Sequence, residues 1–175
     1  MNKMKYKVLV ADDEYWSCEN LRSLIAWEEY SLEFLAPAGD GEEVLERIPE
    51  EKPDIILTDI NMPFLDGLEL LQKLQTQYPE IITIAVSGYD DFEKVKGVFV
   101  SGGLDYILKP VGKEELVKIL TKALGILEER ENARKSNENN LLQEHKFSSF
   151  MEDSEYSALL SGKLYGHFTT QPHVS

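Results

Sequence analysis

The strongest constraint on the fold is a rhythm. Up to Leu127, short apolar runs alternate with stretches whose apolar residues recur at helical spacing. Tyr6 to Ala11 (YKVLVA), Asp54 to Thr58 (DIILT), Ile81 to Val86 (IITIAV) and Asp105 to Leu108 (DYIL) are apolar runs, with Leu32 to Ala38 a weaker one. They are short, β-branched and bounded by polar or turn residues, as parallel strands buried on both faces are. Between them lie helical stripes: Leu21, Leu24 and Ile25; Val44, Leu45 and Ile48, ended by Pro49 and Pro53; Leu68, Leu71 and Leu74; Val95, Val98 and Phe99; and Leu116 to Leu127. Five strands alternating with five helices predict an α/β fold with a parallel sheet covered on both faces. Right-handed crossovers leave few topologies.

After Leu127 the pattern stops. Glu128 to Asn140 holds one apolar residue, Ala133, and reads as a solvated helical extension or a linker. Leu141 to Leu164 regains some apolar content, and Gly166 to Ser175 carries no structural pattern. The expected division is a domain over 1–130 and a polar helical linker and tail over 131–175. The formal net charge of −14 repels phosphate backbones, so no nucleic acid partner is expected for this chain alone. Cys18 is the single cysteine, which excludes an intrachain disulfide and a two-cysteine zinc site. No signal-peptide core or bilayer-length apolar run is present, so the expected compartment is the cytoplasm, without membrane attachment.

In a sheet of this kind ligands bind beyond the carboxyl ends of the strands. Those ends carry Asp12-Asp13-Glu14, Asp59, Ser87 and Lys109-Pro110. Three carboxylates brought together disfavour their own ionisation unless a cation intervenes. Oxygen donors without His or Cys fit a hard ion such as Mg²⁺. Lys109 adds a fixed positive charge and Ser87 a hydroxyl donor, a set that matches an incoming phosphoryl group. A carboxylate can accept it as an aspartyl phosphate, and Asp59 is flanked by the other ends. Taken one at a time, these residues have blander readings. A lone Asp after a strand is usually a cap or turn residue, which suits Asp40, Asp66 and Asp12 by itself.

The segments VLVADDE, DIILTDINMPFLDGLELL, AVSGYDDF and DYILKPV, in this order and spacing, resemble the receiver domain of two-component response regulators over about Lys5 to Glu129. The resemblance implies a flavodoxin-like (βα)5 doubly wound sheet of order 2-1-3-4-5. It implies Asp59 as phosphoacceptor, Mg²⁺ held by Asp13, Asp59 and the Asn61 backbone carbonyl, and Asp12 assisting through a water. Lys109 would pair with the phosphoryl oxygens, Ser87 would move to bond the phosphoryl group, and Tyr106 would follow as the switch aromatic. Asn61 and Tyr89 stand where relatives tune autodephosphorylation, and Lys109-Pro110 is implied to be cis. A sensor histidine kinase is the implied donor, and the chain is expected to be a signal transducer, not an enzyme.

LIAWEEYSLEF, SGYDDFEKVK and LLSGKL resemble regulators with a C-terminal AraC-type helix-turn-helix domain, for which too little chain remains after Gly166. Transcription control would then belong to a longer parent. Gly97, in Lys96-Gly97-Val98-Phe99, replaces the usual alanine-rich pattern of the fourth helix and is expected to weaken it by about 1 kcal/mol relative to Ala. Homodimerisation is expected either through the face of helix 4, strand 5 and helix 5 or through the extended C-terminal helix.

Three other readings compete. An Asp-nucleophile phosphatase of the haloacid dehalogenase type needs an acid two residues after the nucleophile, where Asn61 stands. A flavodoxin-like nucleotide binder needs a Gly- or Ser/Thr-rich loop where Asp12-Asp13-Glu14-Tyr15 stands. A receiver fold acting by contact alone, without phosphorylation, has no use for the assembled acids, Ser87 and Lys109.

Overall fold

The computed structural model describes residues 6–88, 92–100 and 102–160. Two compact units separate at Leu127 and Glu128. The first carries the sheet. Its strands are β1 (Tyr6–Ala11), β2 (Leu32–Phe34), β3 (Ile55–Asp59), β4 (Ile82–Ser87) and β5 (Asp105–Leu108). Their order is β2-β1-β3-β4-β5 and every pairing is parallel. The helices are α1 (Tyr15–Leu24), α2 (Gly41–Glu51), α3 (Gly67–Gln77), α4 (Phe92–Val100) and α5 (Lys113–Leu160), with a 3-10 turn at Trp27–Tyr30. This is the flavodoxin-like doubly wound architecture.

Side chains alternate across the sheet, so each strand feeds two cores. Val8, Val10, Ile55, Leu57, Ile84 and Ile107 pack with Leu21 of α1, Ile25 just after it, and Leu116 and Leu120 of α5. Leu9, Ala11 and Ile56 pack with Val44, Ile48, Leu70 and Leu74 of α2 and α3. Met62 is buried in this second core, as its apolar side chain requires. A third group joins Ile60, Leu71, Ala85 and Val98, with Leu68 and Tyr106 packed against it.

Several boundaries differ from the sequence-based expectation. β3 and β4 each begin and end one residue later, which makes Asp59 and Ser87 terminal residues of their strands. Asp54 is instead held at the strand entrance, where its Oδ2 accepts from Lys7 N–H at 2.8 Å. β2 is three residues long, with Ala38 rejoining as an isolated bridge to Ala11. Pro37, which lacks an N–H, stands within the lost stretch. Pro49 does not end α2. The helix runs to Glu51, and Lys52 closes it in the left-handed region, donating its N–H to Ile48 O at 2.9 Å. Asp40 and Asp66 are the expected N-caps, Asp66 within a reciprocal capping box with Glu69.

The α4 stripe is narrower than its spacing predicts. Val98 is buried, but Phe99 is exposed. A Cβ on Gly97 would meet Leu68 side-chain carbons at 3.4 and 3.5 Å, ordinary contact, so no close approach demands glycine there. The polar stretch after Leu127 is helical, and Leu141, Leu142, Phe147 and Phe150 on it are exposed. Among the described residues no helix is long and apolar enough to cross a membrane.

Candidate functional site

The carboxyl ends of β1, β3, β4 and β5 meet, as parallel pairing demands. Register sets Asp59 beside Val86, and Ser87 beside Leu108. Asp59 and Ser87 are the last residues of their strands, Asp12 and Lys109 the next one along, and Asp13 two along. Carboxylate oxygens of Asp12, Asp13 and Asp59 all lie within 4.8 Å of one another. Asp12 and Asp59 are buried, the latter 8% exposed, whereas Asp13 is exposed.

Lys109 neutralises part of this charge. Its Nζ lies 2.8 Å from Asp12 Oδ2 and 3.3 Å from Asp59 Oδ2. Asp12 also accepts from Glu14 N–H at 2.9 Å, which fixes its carboxylate at the start of α1. Burial raises the Asp59 carboxyl above the ordinary range, the Lys109 charge opposes this, and Asp12 adds to it. Burial alone would lower the Lys109 ammonium, but the hydrogen bond and charge of Asp12, then Asp59, outweigh it and raise it. Lys109 therefore stays charged at neutral pH.

Ser87 is wholly buried, and its Oγ is the one buried side-chain polar atom without a hydrogen-bond partner among the described residues. A buried hydroxyl left unpaired costs about 1–3 kcal/mol. Its backbone carbonyl accepts from Lys109 N–H at 2.7 Å, which ties the two site residues across adjacent strands. The Lys109-Pro110 peptide is cis. Tyr106 stands opposite Ala85 in the β4–β5 register, half-buried, and meets Phe99 edge-on at 6.0 Å between ring centroids. Asn61 N–H approaches Asp59 Oδ1 at 3.4 Å. Tyr89 lies outside the described residues.

Four features of the site were not anticipated. Gly67 opens α3 directly on the backbone of Asp59: its N–H donates to Ile60 O at 2.9 Å, and a Cβ there would lie 2.1 Å from Asp59 O. Asp66 read in the sequence as a cap or turn residue, but which backbone the following Gly67 would touch is a tertiary fact. Phe64 adopts φ 63° and is 83% exposed, an unusual conformation for an aromatic residue, of the kind that collects at functional loops. Lys94 Nζ, on the first turn of α4, donates to Asn61 Oδ1. Cys18 packs under the site, its Sγ 3.7 Å from Asp12 O, with burial and then Asp12 pushing its pKa up to about 11. It remains a protonated thiol at neutral pH.

The donor set is three carboxylates with no imidazole or thiolate, and it fits a small hard divalent cation. An acidic pocket closed by one lysine thus lies at the carboxyl edge of a parallel sheet of order 2-1-3-4-5. Residues 8–121 match the family described as response regulator receiver domain. The chain belongs to that family.

Its relatives agree. It is 30% identical over 157 residues to the uncharacterized transcriptional regulatory protein YesN of Bacillus subtilis, covering 90% of this chain and 43% of that protein. It is 35% identical over 127 residues to the transcriptional regulatory protein HptR of Staphylococcus aureus, covering 73% and 50%. The chain thus spans about half the length of the curated relatives it matches. Among solved structures, the receiver domain of AraT, a response regulator from Geobacillus stearothermophilus, matches with a TM-score of 0.69 and 35% identity over 73% of this chain and 99% of that one. A two-component transcriptional regulator AraC from Clostridium phytofermentans matches with 0.63 and 29%, over 69% and 94%.

Proposed function

We propose that this chain is a phosphorylation-activated receiver that takes a phosphoryl group from a histidine kinase onto Asp59. The observation that carries this is the contact of one ammonium, Lys109 Nζ, with both Asp12 and Asp59 inside a cluster of three carboxylates. An Asp59 oxygen attacks the phosphorus of a phosphohistidine. The new O–P bond forms as the P–N bond breaks, and the imidazole leaves with the electron pair. Lys109 neutralises the charge spread over the phosphoryl oxygens. Asp13, Asp59 and the Asn61 carbonyl would hold Mg²⁺, with Asp12 acting through a water. The ion supplies charge neutralisation at the phosphoryl oxygens when bound.

Ser87 then gives its unpartnered hydroxyl to a phosphoryl oxygen, and Tyr106 turns inward behind it. Phosphorylation in this way biases a two-state element. The output face is α4, β5 and the first turns of α5, where Phe99 and Val100 are exposed apolar residues of a kind that pairs with a second copy. The exposed apolar residues of the later part of α5 support the alternative, pairing through that helix. Transcription control belongs to a longer parent chain, in keeping with the names of its relatives. Residues 131–175 serve as the connection toward the output domain, and the cytoplasm is the compartment.

The test is incubation with Mg²⁺ and acetyl phosphate, read by intact mass and by light-scattering mass at several concentrations. One phosphoryl adduct on the wild type and none on Asp59→Asn is expected. No adduct on the wild type, or an undiminished adduct on the variant, would overturn the reading. A strict monomer in both states would remove dimerisation from it.

A further inference from the structure

Lys94 and Asn61 are 33 positions apart, yet the Lys94 ammonium donates to the Asn61 side-chain oxygen. The contact ties the first turn of α4 to the loop that follows β3. Asn61 is itself bound to the site, through its N–H to Asp59 Oδ1 at 3.4 Å. A chain of two contacts therefore runs from an exposed cation to the phosphoacceptor. The same α4 begins at Phe92, five residues after Ser87 closes β4.

A carboxamide has one acceptor oxygen and an NH₂ that only donates. Hydrolysis of an aspartyl phosphate needs a water placed in line with the breaking bond, and an acceptor oxygen nearby orients such a water. In that step the water O–P bond forms and the P–O bond to Asp59 breaks. The products are the Asp59 carboxylate, inorganic phosphate and the released water proton. The contact with Lys94 takes one of the oxygen's two lone pairs and holds the carboxamide toward the first turn of α4, which competes with this role.

We propose that Lys94 is a positioning residue that lengthens the life of phospho-Asp59 by holding the Asn61 carboxamide oxygen away from the attacking water. The inference rests on the reading of Asp59 as phosphoacceptor. It does not require Lys94 to touch the phosphoryl group.

The experiment compares the wild type with Lys94→Met, Lys94→Arg, Asn61→Ala and the Lys94→Met/Asn61→Ala pair. Each is loaded with acetyl phosphate and Mg²⁺, the donor is removed, and phosphoryl loss is followed by intact mass. Lys94→Met keeps an unbranched side chain one heavy atom shorter and removes the donor. Loss of one hydrogen bond of ordinary net strength predicts decay about 3- to 10-fold faster. Lys94→Arg restores a donor and a near-wild-type decay. In the Asn61→Ala background, Lys94→Met changes the rate by less than about 1.5-fold, because the oxygen it controls is gone. Lys94 is exposed, and unchanged melting temperatures check that the variants fold. Full loading with an unchanged decay in Lys94→Met overturns this inference alone, as does an equal acceleration in the Asn61→Ala background. Failure of the wild type to take any adduct overturns the phosphoacceptor reading, and this inference with it.

Discussion

Gly67→Ala is the most demanding perturbation the fold offers near the site. The added Cβ would lie 2.1 Å from Asp59 O, 2.8 Å from Ile60 Cα and 2.9 Å from Asp59 C, all backbone atoms that cannot rotate away. Reaching an ordinary contact of 3.4 Å requires α3 and β3 to separate locally by about 1.3 Å. That separation breaks the Gly67 N–H to Ile60 O hydrogen bond, now 2.9 Å, a loss of about 0.5–1.5 kcal/mol. Overpacking adds about 1–3 kcal/mol. The sum is about 1.5–4.5 kcal/mol, or a melting temperature lower by about 6–18 °C for a domain of this size. Because the displaced backbone is that of Asp59, the rate of phosphorylation by acetyl phosphate falls by at least about tenfold as well. Gly125→Ala is the control. It lies in α5 with nothing within 4 Å of a new Cβ, so it stabilises by about 0.8–1 kcal/mol. Thermal unfolding by circular dichroism and adduct formation by mass measure both effects. If Gly67→Ala melts within about 2 °C of the wild type and phosphorylates normally, the close-approach argument is wrong.

Two further predictions follow from the polar groups. Ser87→Ala deletes a buried hydroxyl that has no partner, so its stability is equal to or above the wild type by up to about 1 kcal/mol, while phosphorylation no longer shifts oligomeric state; a clear loss of stability in urea unfolding would show that the hydroxyl is satisfied after all. Burial raises the Asp59 carboxyl, so the folded state holds that proton more tightly than the unfolded chain. Its stabilising share is present below the unfolded value and is lost as pH rises through the folded one. Melting curves from about pH 4 to about pH 7 should therefore increasingly favour Asp59→Asn over the wild type, and a constant difference across that range would contradict the raised value.

Most of the fold was legible because parallel strands are buried on both faces and read as apolar runs. The site was legible for a related reason: its acids, hydroxyl and lysine each follow such a run directly, and strand direction alone brings the ends together. What escaped depended on neighbours that pattern does not specify. Ser87 and Asp59 close their strands because pairing with β5 and β4 extends one residue past the apolar run. Phe99 matched the helical period of α4, yet only Val98 reaches the core. Pro49 read as a stop, but α2 ends where Lys52 takes up the left-handed cap. The Lys94–Asn61 contact and the crowding at Gly67 join segments whose adjacency exists only once the sheet is assembled.

The unpartnered hydroxyl of Ser87 has a consequence for how sharply such a domain responds. An unpaired buried donor costs about 1–3 kcal/mol, and an acceptor that reaches it only in the phosphorylated form returns that amount. The ratio of responding to resting molecules then changes by a factor of about 5 to 150 from this single atom. Under the proposed function, part of the gain of the signal would thus be set before any phosphoryl group arrives, by an imperfection kept in the resting core. A relative with a pre-satisfied residue at the position of Ser87 would bind phosphate as readily and answer it less.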